Sequence, residues 1–135
     1  MAHSNYGRYL ETEVYGADPL KLVCMLYCGA IEATAAARRH LKDREIRQRG
    51  RQIMRALEIL RELTSSLDPQ YEEISRPLRD LYVYMQGRLI EANVKQIDEP
   101  LAEVEQLLKT LHEGWKAAIP APLSAGEHQP VSCTY

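Results

Sequence analysis

Most of the patterns that mark a membrane protein or a secreted protein are missing from this sequence. The first residues, MAHSNYGRYLETEV, contain no apolar stretch of the kind found in a signal peptide. The longest run without a charged residue, 22–31, is about half of the ~20 residues that a membrane-spanning helix needs. We therefore expect a protein of the cytoplasm that does not insert into a membrane.

Cysteine is scarce and odd in number, so no disulfide framework is implied. Two of the three cysteines, Cys24 and Cys28, lie four residues apart. On a helix their side chains would run nearly parallel, so a bond between them is disfavoured. Zinc would need two further ligands, and the spacing is not the usual C-x-x-C. The sequence predicts small, reduced core residues here and no metal site.

Sequence signatures of catalysis are absent as well. There is no G-x-x-x-x-G-K-[ST] phosphate loop and no G-x-G-x-x-G, so nucleotide binding has no support. None of the four histidines has a glutamate three residues before it, as di-metal helical bundles require. The prediction is a protein without a cofactor that is not an enzyme.

Charge gives little reason to expect nucleic acid as a partner. The net charge over 135 residues is −2, so no overall field attracts a polyanion. Residues 38–55 hold eight arginines and lysines against Asp43 and Glu45, but no aromatic residue is interleaved with them. We interpret this segment as a solvated face, partly paired with the acidic fourth helix.

Prolines and capping residues divide the chain into four amphipathic helices. The Asp-Pro pairs at 18–19 and 68–69 and the single Asp98 are the start and stop signals. The first helix is predicted over about 19–42. In the third helix, Pro77 is expected in the first turn, where it is tolerated.

Four such helices joined by short connections predict an all-α fold, an antiparallel four-helix bundle over residues 18–119. Residues 1–17 are expected to form a short polar segment whose Tyr6 and Tyr9 cover an apolar groove of the bundle. Residues 120–135 contain three prolines and no periodicity, so a disordered tail is expected.

The helices carry more apolar surface than one core needs. The third helix has a core stripe and a second stripe about 100° or more away. The core stripe comprises Leu78, Leu81, Met85, Leu89 and Ala92, and the second comprises Val83, Gly87, Ile90, Val94 and Ile97. On the first helix, Leu22, Met25, Leu26 and Gly29 are expected in the core, with Val23, Tyr27 and Ile31 beside them. The second helix adds Ala56, Ile59 and Leu63.

Two interpretations of this surplus stay open. It either forms a groove for an amphipathic partner helix, or it widens the core and buries the interface of a homodimer.

Several strings resemble the FliS family of flagellin-binding export chaperones. They are LVCMLYCGAI at 22–31, SLD at 66–68, RLIEANVK at 88–95 and Trp115 near the end of the last helix. The family typically has M-L-Y-D-G-A-I in its first helix and R-L-I-E-A-N in its third. Cys28 stands where the family usually has aspartate, so a polar contact made by that aspartate would be lost or moved here.

The resemblance implies that the bundle binds the C-terminal segment of flagellin and prevents premature polymerisation. It also implies delivery of flagellin to the export gate of the flagellar type III apparatus, to which Tyr6 and Tyr9 would contribute. The cargo-binding residues would be Val23, Tyr27, Ile31, Ile59, Leu63, Val83, Ile90 and Val94. Arg88 and Asn93 have two interpretations: hydrogen bonds to the cargo, or a structural role within the bundle.

Overall fold

The computed structural model describes residues 19–118. This part of the chain contains four α-helices and one short 3-10 helix. Their bounds are α1 Pro19–Lys42, α2 Ile46–Ser65, the 3-10 helix Pro69–Tyr71, α3 Glu72–Lys95 and α4 Glu99–Ala118. The predicted all-α fold with four helices is confirmed. The predicted N-terminal segment, with Tyr6 and Tyr9, and the predicted disordered tail lie outside the described residues.

The connections between helices are short, and their backbone polar groups form hydrogen bonds with nearby residues. Before α3, Asp68 accepts a hydrogen bond from the backbone N–H of Gln70, and the Ser75 hydroxyl donates to the Asp68 carbonyl. Pro77 lies in the second turn of α3 rather than the first, so that part of the prediction is wrong. Its missing N–H removes one early bond of the helix at an exposed position, where water can replace it.

A left-handed residue ends α3 and turns the chain toward α4. Gln96 has φ 57° and donates its N–H to the carbonyl of Ala92, which also accepts from Ile97. The first backbone bond of α4 follows from Ala102 to the carbonyl of Asp98, at 2.9 Å. Asp98 therefore stands at the predicted helix start.

The helices form a ring in which each packs against two neighbours. α1 contacts α2 and α4, and α3 also contacts α2 and α4, so α1 and α3 stand at opposite corners. The core between them includes several alanines of α1 and larger aliphatic residues of the other helices. Its fully buried members include Ala30, Ala33, Ala37, Leu60, Met85, Leu89, Leu101, Val104 and Leu108.

The orientation of α1 differs from the prediction. Met25, expected in the core, is 45% exposed, whereas Tyr27 and Ile31 are buried. Most of the circumference of α1 is apolar and small, so helical periodicity does not single out one inward face. Contacts with α2 and α4 decide the orientation instead.

By length and composition alone, α1 is apolar enough to cross a membrane, which the sequence analysis did not anticipate. Over half of its most apolar window, 56%, is buried inside the bundle. The core helix of a soluble protein has the same length and composition, so this feature is weak evidence for a membrane span.

Candidate partner-binding site

The second apolar stripe of the third helix is exposed to solvent. Val83, Ile90 and Val94 of α3 are 58%, 49% and 73% exposed, and Ile97, just after the helix, is 38% exposed. We call these four residues the outer stripe. Gly87 lies among them with open space around it. On the other side of α3 the core stripe is largely buried, so the helix has two distinct apolar surfaces.

The neighbouring side of α2 extends the outer stripe. Gly29 of α1 lies against Ile59, since a Cβ added to Gly29 would be 3.1 Å from the Ile59 Cδ1 atom. Ile46 and Met54 project from the side of α2 away from that contact, and α2 packs otherwise against α3. They are 61% and 48% exposed. The outer stripe together with Ile46 and Met54 is called the docking face below.

Three predicted groove residues lie inside the bundle instead. Tyr27, Ile31 and Leu63 are 0%, 6% and 1% exposed, so they contribute almost nothing to the exposed surface of this conformation, and their contact with cargo stays a prediction. Val23 and Ile59 are partly buried and pack on the core. Each of the three buried residues belongs to the same hydrophobic cluster that holds α1, α2 and α3 together.

Tyr27 can be buried because its polar atom is satisfied. Its hydroxyl accepts a hydrogen bond from the Trp115 indole at 2.9 Å and shares another with the Tyr82 hydroxyl. Burial raises the pKa of Tyr27 above its ordinary value, against the smaller effect of these hydrogen bonds. The three aromatic residues thereby join α1, α3 and α4. Tyr82 was missed by sequence analysis because it adjoins the predicted stripes without belonging to either.

A second buried polar contact joins α1 to α4 beside this cluster. The Cys28 sulfur atom lies 3.7 Å from the Nε2 atom of His112, and the His112 ring stacks on Tyr27. Desolvation lowers the pKa of His112, with a further lowering from Lys116. Within residues 19–118 no group of three or more histidine, cysteine or acidic side chains could hold a metal ion.

Arg88 and Asn93 are engaged within the bundle. Arg88 donates to Glu103, Glu91 and Glu99 at 2.6–3.0 Å, which fastens α3 to α4. These hydrogen bonds raise the pKa of Arg88. The Asn93 side-chain oxygen accepts from the buried Arg49 of α2 at 2.9 Å. The structural interpretation therefore accounts for the contacts of both residues in this conformation.

A cleft, called the end cleft below, opens at the end of the bundle where α1 begins and α4 ends. It has a volume of about 220 Å³ and an apolar lining. Its walls include Val23, Leu63, Leu67, Leu78, Tyr82 and Trp115. Two predicted cargo residues, Val23 and Leu63, thus line this cleft rather than the docking face.

The basic segment 38–55 is partly neutralised, as predicted. Arg38 forms ion pairs with Asp98, just before α4, and with Glu105 of α4, at 2.8 and 2.9 Å. Arg55 pairs with Glu32 at 3.0 Å. The remaining arginines on the outside of α2 are described below, because they border the docking face.

Sequence comparison gives a family for this architecture. A family model described as "Flagellar protein FliS" matches residues 1–122. The chain belongs to the FliS family. The resemblance drawn from the sequence strings is thereby confirmed, and the match extends beyond the last described helix.

Named relatives agree with this assignment. The chain is 32% identical over 120 residues to the "Flagellar secretion chaperone FliS" of Bacillus subtilis, covering 88% of this chain and 90% of the relative. It is 34% identical over 113 residues to the protein of that name from Salmonella typhimurium, covering 82% and 84%. The "Flagellar secretion chaperone FliSB" of Pseudomonas aeruginosa is 35% identical over 107 residues, covering 78% and 85%. These relatives are named as chaperones of flagellar secretion rather than as enzymes.

Proposed function

We propose that this protein is a cytoplasmic export chaperone that binds the C-terminal segment of flagellin on its docking face. The observation that carries the proposal is the exposure of the outer stripe on a helix that already buries a separate core stripe. A contiguous exposed apolar patch on a water-soluble bundle is typical of a protein-binding surface. Membership of the FliS family supports flagellin as the partner.

Binding proceeds by coupled folding. The flagellin segment is disordered before binding and orders as an amphipathic helix along α2 and α3, placing apolar side chains against Ile90 and Met54. Covering this segment keeps it from polymerising prematurely. The chaperone then delivers flagellin to the export gate of the flagellar type III apparatus, with Tyr6 and Tyr9 of the N-terminal segment contributing to that contact. The cycle requires neither a nucleotide nor a cofactor.

The test is calorimetry with a peptide covering the C-terminal helical segment of flagellin from the same organism. We expect saturable one-to-one binding with a large negative heat-capacity change, because apolar surface is buried. The double substitution Val83→Asp and Ile90→Asp should abolish binding and leave helicity unchanged. Met25→Asp is the matched control, since Met25 is equally exposed on α1, the opposite corner of the ring.

Two results would overturn the proposal. Unfolding of the Val83→Asp, Ile90→Asp variant would show that these positions belong to the core. Undiminished binding by that variant would place the flagellin segment on another surface, of which the end cleft is the first candidate.

The alternative function is an interaction protein that forms a homodimer through the same stripe. Light scattering over a range of protein concentrations separates the two. A constant monomer mass favours the chaperone, and a dimer that Val83→Asp converts to monomer favours self-association.

A further inference from the structure

We propose that the helix accepted by the docking face is acidic along one edge, and that a row of unpaired arginines on α2 recognises that edge. This inference rests on the proposed function and specifies the chemistry of the bound segment. Three observations support it: the position of the arginines, their lack of ion-pair partners among the described residues, and the net positive charge of the side of α2 that borders the outer stripe.

The row follows from the helical repeat of α2. Arg47, Met54 and Arg61 are spaced by seven residues, so they lie along one side of the helix, about 10 Å apart. Met54 is part of the docking face, and the two arginines lie on either side of it along the helix. Arg51 lies between Arg47 and Met54 along the helix and about 40° around it from Arg47.

The length of the row matches the outer stripe. α2 and α3 are antiparallel, and Arg49 of α2 meets Asn93 of α3. Arg47 therefore lies level with the C-terminal end of α3, near Val94, and Arg61 lies level with the turn that carries Val83. A helix lying on the docking face would have the arginines along the whole of its α2 edge.

The charges of this row are not neutralised within the described bundle. Arg47, Arg51 and Arg61 are exposed, and none of them makes an ion pair with a residue in 19–118. Glu58 lies on the same side of α2 and Glu62 lies beside it around the helix, so three positive charges stand against two negative charges. By contrast, Arg38 and Arg55 of the same basic segment are paired.

This pattern selects an acidic partner over a second copy of the chain. In a two-fold dimer the same patch would be used by both copies, and a dimer that lays α2 of one copy along α2 of the other would bring the two arginine rows together. Like charges at an interface oppose association, whereas complementary charges speed encounter and fix register. A partner helix with apolar residues on one face and aspartate or glutamate along one edge would pack on the docking face and pair with the arginines at the same time.

The experiment measures binding of the same flagellin peptide by calorimetry at 50 mM and 500 mM NaCl. The variant is the double substitution Arg47→Glu and Arg61→Glu. The control is Arg39→Glu with Lys42→Glu, which makes the same change in net charge at exposed α1 positions that also make no ion pair with residues 19–118. Both variants are checked for unchanged helicity and monomer mass.

We expect wild type and control to bind more weakly at high salt, and the arginine variant to bind about tenfold more weakly than wild type at low salt. The variant should show little or no loss of affinity as salt rises. A peptide whose acidic residues along that edge are replaced by lysine should regain affinity for the arginine variant but not for the control variant. A long-range effect of net charge would raise its affinity for both variants alike.

The outcomes separate this inference from the proposed function. If Val83→Asp with Ile90→Asp abolishes binding while the arginine variant binds like wild type at both salt concentrations, the acidic edge is wrong and the chaperone function stands. If wild type does not bind the peptide, both fail. If the arginine variant is unaffected and removal of residues 1–17 raises affinity, the face is covered by the chain's own N-terminal segment. A dimer that dissociates on Val83→Asp would assign the face to a second copy.

Discussion

Two adjacent residues of α3 give a direct test of the division between core and docking face. Leu89 is fully buried and Ile90 is 49% exposed. Both are large aliphatic residues, one position apart on the same helix. Replacing each by alanine removes similar chemistry from opposite surfaces, so the effects on stability and on binding should separate.

For Leu89→Ala the expected loss of unfolding free energy is about 3–4 kcal/mol, because the lost burial is joined by a cavity in a packed core. For Ile90→Ala about half of the side chain is already in water, so the loss should not exceed about 1 kcal/mol. The better helix propensity of alanine reduces this loss further. The other half of Ile90 becomes buried on docking, which corresponds to about 1 kcal/mol and therefore to about fivefold weaker flagellin binding.

Urea unfolding followed by circular dichroism gives the first quantity, and calorimetry with the flagellin peptide gives the second. Leu89→Ala is measured for binding only at temperatures where it stays folded, and its affinity should then match wild type. Equal destabilisation by the two substitutions would refute the reasoning, since α3 would then be buried on both sides. Unchanged binding by Ile90→Ala would remove Ile90 from the docking face.

Two further predictions concern single positions in the bundle. Gly50→Ala should raise the unfolding free energy by about 0.5–1 kcal/mol, because a Cβ there meets open space and alanine favours the helix. Gly29→Ala should raise it less, because the added Cβ would crowd Ile59 at 3.1 Å. Equal increases in the unfolding free energy, measured by urea unfolding, would contradict this. The depressed pKa of His112 means that the unfolded chain takes up a proton more readily than the folded chain, so stability should fall as pH drops below about 6.5. His112→Gln should flatten that pH dependence in unfolding measured between pH 5 and 7, and an unchanged slope would assign it to other groups.

The helix ends could be predicted because their signals are local. Proline fixes φ and removes a donor, so the pairs at 18–19 and 68–69 restrict the chain whatever packs around it. The bounds of α1 agree with the predicted 19–42. Pro77 is an instructive exception, since one proline near the start of a helix is compatible with the first or second turn, and the 3-10 helix before α3 decides which.

The inward faces were predictable only where polar residues separate them. On α3, Arg88 and Glu91 lie between the two stripes on the α4 side, and the predicted core stripe is the one that packs inward. On α1, almost every position is apolar or small, so Met25 and Tyr27 exchanged their expected places. The hydroxyl of Tyr27 finds its hydrogen-bond partners inside the bundle in Trp115 and Tyr82, 88 and 55 residues away along the chain, and helical periodicity cannot show such contacts.

The contribution of α2 to the docking face could not be predicted from its own periodicity. Ile46 continues the core stripe of α2 in sequence, but it is the first residue of the helix and projects beyond the packed part of the bundle. Met54 belongs to no stripe. Which side of α2 borders α3 depends on the ring arrangement of the four helices, which is a property of the whole fold.

The separation of two apolar surfaces on α3 also bears on how such a protein changes over generations. Substitutions at distant, independent sites combine additively, and Val83 and Val94 project away from Met85 and Leu89. A change in the preferred partner can therefore accumulate in the outer stripe with little loss of fold stability. Substitutions in the core can likewise be tolerated without changing which sequence is bound. Fold stability and partner preference can therefore change almost independently of each other.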